Sequence, residues 1–340
     1  MRKLILFVLL VSTILFILNG VFIADICSSE EIPIRVAVEF MDHAAAAYIS
    51  QAQGWFEEEG LNINYYENYV TGMALAAALG RGDIQAAYLC LIPAINAYAN
   101  ARVAIKIVAG THKYGYGLVV NTNKIKDIYG LQREGIRIGC VREGGAVDVL
   151  LHKAIIEYGL DKEKVLNNVQ RMDPAKQLLA IQMDRLDAAF LPEQWATMAE
   201  DSKYQMMLMS QDIWPEMQGS VLVVKSELIE KYPELVRKLV KVTEKSTDWI
   251  IQNPESAAEV VAHQLSLVGE NILPVQVKDA DTDKIEFNAD VLLKSMSRID
   301  YGTDIDSVTV QDNIDFLVEL GYIKNTFDAN EILDLRFLSR

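Results

Sequence analysis

Three short segments combine ionisable or aromatic side chains with small residues, the types that a ligand-binding turn requires. Asp42-His43 precedes four alanines, Glu143-Gly144-Gly145-Ala146 joins an apolar strand to a helical run, and Glu193-Gln194-Trp195 follows another apolar strand. Small side chains at the start of a helix let a ligand approach free backbone N–H groups and the positive end of the helix dipole. A planar ring beside a carboxylate suits a planar or cationic ligand. We therefore predict ligand contacts at all three segments.

The ends of the other predicted strands extend this candidate site. Parallel strands joined by helices place ligands at their carboxyl ends. The predicted strand ends add Phe40, Thr71, Gly72 and Cys90, and the residues just before a predicted crossing strand add Tyr114 and Tyr116.

Each segment also has a plain structural interpretation. The alanines are good helix formers that can pack against a sheet. The glycine pair can be a simple strand–helix connection, since the Gly-x-Gly-x-x-Gly spacing of a dinucleotide site is missing. The ring of Trp195 can pack in a core. If the acids Asp42, Glu143 and Glu193 do line a cleft, they favour a ligand with amino or protonated groups, because a strongly anionic ligand recruits arginine.

Composition argues against several classes of function. The chain has 47 acidic and 32 basic residues, a net charge of −15. Nucleic acid is not an expected partner, because phosphate binding needs a concentrated basic face. The four histidines are scattered and no Cys/His spacing is typical of zinc, so we expect no metal site, no cofactor and no catalytic residues. Cys90 and Cys140 end strands in different halves of the chain, which predicts buried free thiols.

The N-terminus predicts an exported protein. Residues 1–28 combine Arg2 and Lys3 with a long apolar run, the pattern of a signal peptide or a membrane anchor. Cys27 invites a lipid anchor, but Ile26 stands where attachment sites want a small residue. An uncleaved anchor, conventional cleavage and a variant lipid anchor all remain open. The rest of the chain is expected at the outer face of the cytoplasmic membrane or in the periplasm.

A repeat about a hundred positions apart predicts how these segments are positioned. Ile84-Gln85-Ala86-Ala87-Tyr88-Leu89 matches Leu186-Asp187-Ala188-Ala189-Phe190-Leu191. Each copy follows a helical run and precedes a proline and a second alanine-rich helix. A helix, a buried strand and another helix, used twice, indicate two similar α/β lobes with a ligand between them.

The remaining pattern assigns the chain to these lobes. Lobe one is predicted to comprise residues 32–116 and 218–340, and lobe two residues 117–217. Two very apolar strands, 118–120 and 221–224, are predicted to pair and to carry the chain between the lobes.

Several segments resemble the solute-binding proteins of ABC importers in the nitrate, sulfonate, taurine and thiamine-precursor group. They are YISQAQGWFEEEGL (48–61), ALAAALGRGDI (74–84), KYPELV (231–236) and NPESAA (253–258). The resemblance implies a type II periplasmic-binding-protein fold, in which each of two lobes is a mixed sheet flanked by helices and two crossover strands form the hinge. It also implies an ABC permease and its ATPase subunits as partners. The pairs Gly145-Ala146 and Pro192-Glu193 depart from the group, so no specific substrate is carried over.

Three functions compete at this point. The first is capture of a small molecule for uptake, without chemistry. The second is an enzyme of pyrimidine or menaquinone precursor synthesis, which the resemblance admits and for which His43 or Glu143 would be the acid–base group. The third is the sensing domain of a receptor. The export segment favours capture.

Overall fold

A computed structural model describes residues 32–200, 203–273 and 285–339. The predicted signal peptide or anchor at residues 1–28, with Cys27, lies outside them. Among the described residues, none of the helices combines the length and the apolar character needed to span a bilayer.

Strands and helices alternate through most of the chain. The strands are β1 (Pro33–Glu39), β2 (Asn62–Tyr69), β3 (Ala86–Cys90), β4 (Ile105–Tyr114), β5 (Tyr116–Asn121), β6 (Ile138–Cys140), β7 (Val169–Arg171), β8 (Ala188–Pro192), β9 (Tyr204–Met209), β10 (Gln218–Lys225) and β11 (Ile299–Tyr301). The helices are α1 (Ala45–Ala52), α2 (Trp55–Glu58), α3 (Gly72–Arg81), α4 (Leu91–Ala101), α5 (Ala146–Glu157), α6 (Lys162–Asn167), α7 (Pro174–Gln182), α8 (Glu193–Ala199), α9 (Ser210–Ile213), α10 (Ser226–Lys231), α11 (Pro233–Gln252), α12 (Pro254–Ile272), α13 (Ala289–Met296) and α14 (Ser307–Glu319). Short 3-10 turns cover Asp42–Ala44, Ile128–Gln132, Ala329–Glu331 and Leu335–Phe337.

The strands form two mixed sheets. The first has six strands in the order β11-β4-β10-β3-β1-β2, and the second has five in the order β7-β6-β8-β5-β9. The strands of the repeat, β3 and β8, lie inside their sheets and all their residues are buried. A continuous apolar run is what a strand covered on both faces requires. The predicted α/β class with two mixed sheets flanked by helices is confirmed.

The sequence repeat is also a structural repeat. In the first sheet β1 pairs in parallel with β3 and places Val36 opposite Ala86. In the second sheet β6 pairs in parallel with β8 and places Ile138 opposite Ala188. Both residues of the second pair lie 102 positions after their counterparts in the first, so the two sheets are built on the same register.

Each copy of the repeat contains the same hydrogen bond from a backbone N–H to a side-chain oxygen. The backbone N–H of Arg35 donates to Gln85 Oε1 at 2.9 Å, and the backbone N–H of Arg137 donates to Asp187 Oδ2 at 2.9 Å. In the second copy the acceptor is charged and forms two ion pairs. The guanidinium of Arg137 lies 2.8 Å from Asp187 Oδ1, and Lys124 contacts the same oxygen. Burial opposes ionisation, yet the hydrogen bonds from Arg137 and Lys124 hold the pKa of Asp187 well below its usual range.

One predicted pairing is wrong. The strand predicted at 118–120 is β5, which pairs with β8 and β9, and the strand predicted at 221–224 is β10, which pairs with β3 and β4. The chain crosses between the sheets at Tyr114 and Gly115, whose φ angles are 64° and 89°. On its return Met217 accepts a hydrogen bond from the Tyr114 N–H at 3.0 Å. Apolar runs indicate burial and do not identify a partner, which explains the error.

The lobe limits stay a prediction. The first sheet takes its strands from residues 33–114 and 218–301, and the second takes its strands from residues 116–209. Sheet membership alone does not define where one folding unit ends.

We expect Asp187→Asn to lower the free energy of unfolding at pH 7 by about 1–3 kcal/mol, because the amide keeps the shape but loses charge-assisted hydrogen bonds. A carboxylate whose pKa is lowered by folding stabilises the protein above its unfolded pKa, and that contribution is lost as the pH falls through its folded pKa. The difference between wild type and Asp187→Asn should therefore shrink below about pH 4. Urea unfolding at a series of pH values measures it. Asp184→Asn is the control. The Asp184 carboxylate is half-exposed and pairs with Lys203, so this variant should change the free energy of unfolding little. An equal loss at every pH would contradict the electrostatic explanation.

Candidate functional site

A cavity of about 360 Å³ lies where the carboxyl ends of β1, β3, β6 and β8 meet. Its wall is formed by Glu39, Met41, Val70, Thr71, Gly72, Met73, Ala74, Ala77, Cys90, Pro93, Tyr116, Val141, Arg142, Gly145, Ala146, Val147, Asp173, Pro174 and Pro192. Residues from both sheets therefore contribute. The volume is in the range of ligand pockets in proteins, roughly 300–1,000 Å³.

The repeat builds this wall from equivalent positions. Four pairs of wall residues are each separated by 102 positions, namely Glu39 and Val141, Thr71 and Asp173, Gly72 and Pro174, and Cys90 and Pro192. Each pair sits at the end of corresponding strands or at the start of corresponding helices. Because parallel strands bring their carboxyl ends to one edge, two copies that face each other enclose a single space.

The two copies give the cavity unequal polarity. The first copy contributes a carboxyl, a hydroxyl and a thiol from Glu39, Thr71 and Cys90. At the positions equivalent to Glu39 and Cys90, the second copy has Val141 and Pro192. The buried polar groups of the wall therefore lie against the first sheet, whereas the charged wall residues of the second copy, Arg142 and Asp173, are exposed or half-buried.

Glu39 is the centre of these buried polar groups, which form the polar end of the cavity. One of its oxygens, Oε2, accepts hydrogen bonds from the Cys90 N–H at 3.0 Å and from the Cys90 thiol at 2.9 Å. Burial raises the pKa of Glu39 to about 7. Gly72 is required beside it, because a Cβ at this position would collide with Glu39 Oε1. The hydroxyl of Tyr116 donates to Cys90 Sγ at 2.9 Å.

His43 lies beneath this polar end and does not form part of the cavity wall. Its Nε2 is 2.6 Å from the carbonyl oxygen of Gly115. Burial lowers the pKa of His43, so the ring is neutral. Since a carbonyl oxygen only accepts, the proton of the neutral ring belongs on Nε2, and the lone pair on Nδ1 faces Cys90 Sγ at 3.9 Å. Gly115 permits this approach, because a Cβ there would lie 2.6 Å from Nε2.

The sequence profile of the NMT1-like family matches residues 28–265. This chain belongs to the NMT1-like family. A Brucella abortus protein provisionally named a binding protein is 25% identical to it over 260 residues, which cover 74% of this chain and 77% of that protein.

Solved structures share the fold of this NMT1-like protein. The alkanesulfonate-binding protein SsuA from Xanthomonas axonopodis pv. citri, bound to MOPS, matches with a TM-score of 0.71 and 13% identity over 89% of this chain and 98% of that chain. The periplasmic nitrate-binding protein NrtA from Synechocystis PCC 6803 matches with a TM-score of 0.70 and 12% identity over 90% of this chain and 86% of that chain. The predicted periplasmic-binding-protein fold is confirmed.

The structure brings about half of the predicted site residues to one place in this NMT1-like fold. The cavity wall includes Thr71, Gly72, Cys90, Tyr116, Gly145 and Ala146. Glu143 and Gly144 instead line a neighbouring cavity of about 500 Å³, where the Asn96 amide donates to the carbonyl oxygen of Gly144 at 3.0 Å. Tyr114 lies at the crossing between the sheets and lines neither cavity.

The two predicted aromatic contacts lie in the core. Phe40 and Trp195 are almost fully buried, and their ring centroids are 6.3 Å apart. Phe287 packs edge-on against both rings, at 5.4 Å from Phe40 and 5.8 Å from Trp195. Neither ring reaches the cavity, because α8 begins directly after β8 and turns the side chain of Trp195 inward.

The predicted acids are not on the cavity wall either. Asp42 is buried, its carboxylate accepts from the Ser295 hydroxyl, and its backbone N–H donates to Gln194 Oε1 at 2.7 Å. Burial raises the pKa of Asp42 to about 7. Glu193 is paired with Arg298 at 3.0 Å, and Glu143 lines only the neighbouring cavity. None of the three acids that were expected to select the ligand lines this cavity.

The first turn of α1 also differs from expectation. A 3-10 turn covers Asp42–Ala44, its N-cap is Met41, and α1 starts at Ala45, after the first of the four alanines. The alanines at 44–47 are buried. They pack in the core and do not line the cavity.

Among the wall residues, Glu39, Met41 and Arg142 lie within the predicted strand ends but were not chosen as ligand contacts, and Asp173 and Pro174 were missed altogether. The repeat could have identified some of the other wall residues. The positions 102 residues after Thr71 and Gly72 are Asp173 and Pro174, and the position 102 residues after Cys90 is Pro192. Glu39 stood one residue before the predicted contact at Phe40, where strand alternation turns neighbouring side chains to opposite faces.

We expect Trp195→Ala to lower the free energy of unfolding by about 3–5 kcal/mol, because it removes a large ring from a packed aromatic cluster. Trp195→Phe, the matched control, should cost clearly less. Urea unfolding followed by circular dichroism measures both. Unchanged stability in Trp195→Ala would show that the ring is not part of the core.

Proposed function

We propose that this NMT1-like protein is an extracytoplasmic solute-binding protein that captures a small molecule in the 360 Å³ cavity and delivers it to an ABC importer. The observation that carries the proposal is the cavity itself, enclosed by equivalent strand ends from both sheets. The sulfonate- and nitrate-binding proteins with the same fold support it. Export through the N-terminal segment, and anchoring to the membrane, belong to the same proposal.

The wall of the cavity indicates the shape of the solute. Met41, Val70, Pro93, Val141 and Val147 offer apolar surface on several sides. Only the end at Glu39, Cys90 and Tyr116 combines several buried polar groups. A compact solute with an apolar body and one polar group directed at this end matches the wall. Within the nitrate, sulfonate, taurine and pyrimidine ligand class, this favours a small organic solute over a bare inorganic ion.

The crossing between the two sheets can act as a hinge when the cavity opens for a solute. The crossing residues Tyr114 and Gly115 have positive φ angles. Two hydrogen bonds lie near the neighbouring cavity: the Tyr322 hydroxyl donates to Asp148 Oδ2 at 2.5 Å, and the Asn96 amide donates to the carbonyl oxygen of Gly144. We infer that solute entry opens these contacts while the crossing strands act as a hinge, as in other two-lobed binding proteins.

Capture without chemistry is the simplest use of this arrangement. The two acid–base candidates of an enzyme, His43 and Glu143, do not form part of the cavity wall. The measurement that separates the functions is mass spectrometry of the protein without residues 1–28, incubated with a panel of taurine, a short alkanesulfonate, nitrate and a pyrimidine. A bound solute should be released chemically unchanged. A converted product would favour the enzyme.

We expect Ala77→Trp to weaken solute binding at least about tenfold, because the indole would fill the cavity. Ala77 is an exposed position on α3 that lines the cavity, so the fold should tolerate the change. Ala104→Trp is the matched control, since Ala104 is also exposed but lies away from the cavity. Isothermal titration calorimetry measures both variants. Equal affinities in Ala77→Trp and wild type would place the solute elsewhere.

A further inference from the structure

Three side chains of different chemistry meet below the polar end of the cavity. Glu39 is the last residue of β1, Cys90 is the last residue of β3, and His43 lies in the 3-10 turn that follows β1. Their donor atoms all lie within 4.8 Å of one another, and all three residues are buried. Carboxylate, imidazole and thiolate are the three donor types that zinc accepts in proteins.

The orientation of His43 is already that of a metal ligand. Its Nε2 is bound to the carbonyl oxygen of Gly115, so the lone pair of Nδ1 faces Cys90. Metal-bound histidines usually donate their second ring N–H to a carbonyl or carboxylate, which fixes the tautomer. Gly115 fulfils this role and, lacking a side chain, lets the ring come close.

The distances fit a tetrahedral ion after a small adjustment. Zinc bonds of about 2.3 Å to sulfur and about 2.0–2.2 Å to nitrogen or oxygen place two ligand atoms about 3.6 Å apart. Cys90 Sγ is 3.9 Å from His43 Nδ1 and 2.9 Å from Glu39 Oε2. The carboxylate oxygen would move away from sulfur by less than about 1 Å, and the hydrogen bond that it now accepts from the thiol would be replaced by two bonds to the ion.

The repeat provides an internal comparison. The positions 102 residues after Glu39, His43 and Cys90 carry Val141, Gly145 and Pro192. The second sheet forms the same strand pairing with these residues, so the architecture does not require a carboxyl, an imidazole and a thiol at these points. The three side chains bond one another and Gly115, so they form a polar cluster that the second copy replaces with valine, glycine and proline.

The surroundings are suitable for a cation. Within residues 32–200, 203–273 and 285–339, no ion pair includes Glu39. The cluster at Asp148 and His152 differs, because Arg171 lies 2.5 Å from Asp148 Oδ1 and already supplies the positive charge. Glu39 and Cys90 form part of the cavity wall, so an ion can enter from the cavity.

We propose that Glu39, His43 and Cys90 bind a Zn²⁺ ion whose fourth position faces the cavity. Binding deprotonates the Cys90 thiol and any protonated Glu39 carboxyl, and these protons pass to solvent. The open position would then take a water molecule or the polar group of a solute, as at zinc sites with three protein ligands. This site deepens the proposed function, since it makes the ion part of the polar end, but metal binding itself does not depend on a solute.

Cobalt titration of the chelator-treated, reduced protein tests the site, because Co²⁺ replaces Zn²⁺ and its bond to a thiolate absorbs in the near ultraviolet. We expect a charge-transfer band that saturates at one Co²⁺ per chain and disappears when Zn²⁺ is added. Cys90→Ser should abolish the band, and His43→Gln should weaken Co²⁺ binding at least about tenfold. Cys140→Ser is the matched control, because Cys140 is the buried free thiol of the second sheet, and it should keep the band.

A measurement on the wild-type protein covers the case in which Cys90→Ser does not fold. Zn²⁺ should slow alkylation of Cys90 and leave that of Cys140 unchanged, as followed by peptide mass spectrometry. No thiolate band with Co²⁺, a band that persists in folded Cys90→Ser, or equal alkylation of Cys90 with and without Zn²⁺ would overturn the proposal. Ala77→Trp distinguishes a failure of the zinc site from a failure of the proposed function. This variant should lose solute binding and keep the cobalt band.

Discussion

The parallel pairing of two strands in each sheet is the constraint on which the rest of the structure depends. β1 pairs with β3 and β6 with β8 in the same register, and each pair brings two carboxyl ends to one edge. Helices α4 and α8 begin directly after β3 and β8, and α1 and α5 begin a few residues after β1 and β6, so the chain turns away and leaves the edge open. Two such edges facing each other enclose the cavity. Its position is therefore set by backbone pairing, before any side chain is chosen.

Side chains then make the two equivalent edges different. The first copy places Glu39 and Cys90 at its strand ends, and the second places Val141 and Pro192 at the same points. A buried carboxyl and thiol are costly, while valine and proline are not. The buried polar groups of the cavity are consequently concentrated at the first sheet, whereas Arg142 and Asp173 of the second copy are exposed or half-buried. At the first sheet, hydrogen bonds or metal coordination can replace the water that a solute or an ion loses.

Two groups of polar contacts join segments that are far apart in the chain. In one group, Asp42 bonds Gln194, and Glu193 pairs with Arg298. In the other, Tyr322 bonds Asp148. Each group combines buried carboxyl groups with a partly exposed partner, which is Arg298 in the first and Tyr322 in the second.

The sequence by itself determined the repeat, two similar α/β units and the strand ends at which a ligand site belongs, because apolar runs and alanine-rich helices record burial and period locally. The mixed sheets were implied by the resemblance to solute-binding proteins. The sequence also identified Thr71, Gly72, Cys90, Tyr116, Gly145 and Ala146, which follow from their place at strand or helix ends. Only the tertiary structure decided which side of each strand end faces the cavity. That choice turned Glu39 toward it and sent Phe40, Asp42, Glu193 and Trp195 into the core, because the orientation depends on the twist of the sheet and on partners such as Ser295, Phe287 and Arg298 that lie about a hundred or more residues away. It also decided that Glu39, His43 and Cys90 meet, since their spacing along the chain matches no metal motif and only the pairing of β1 with β3 brings them together.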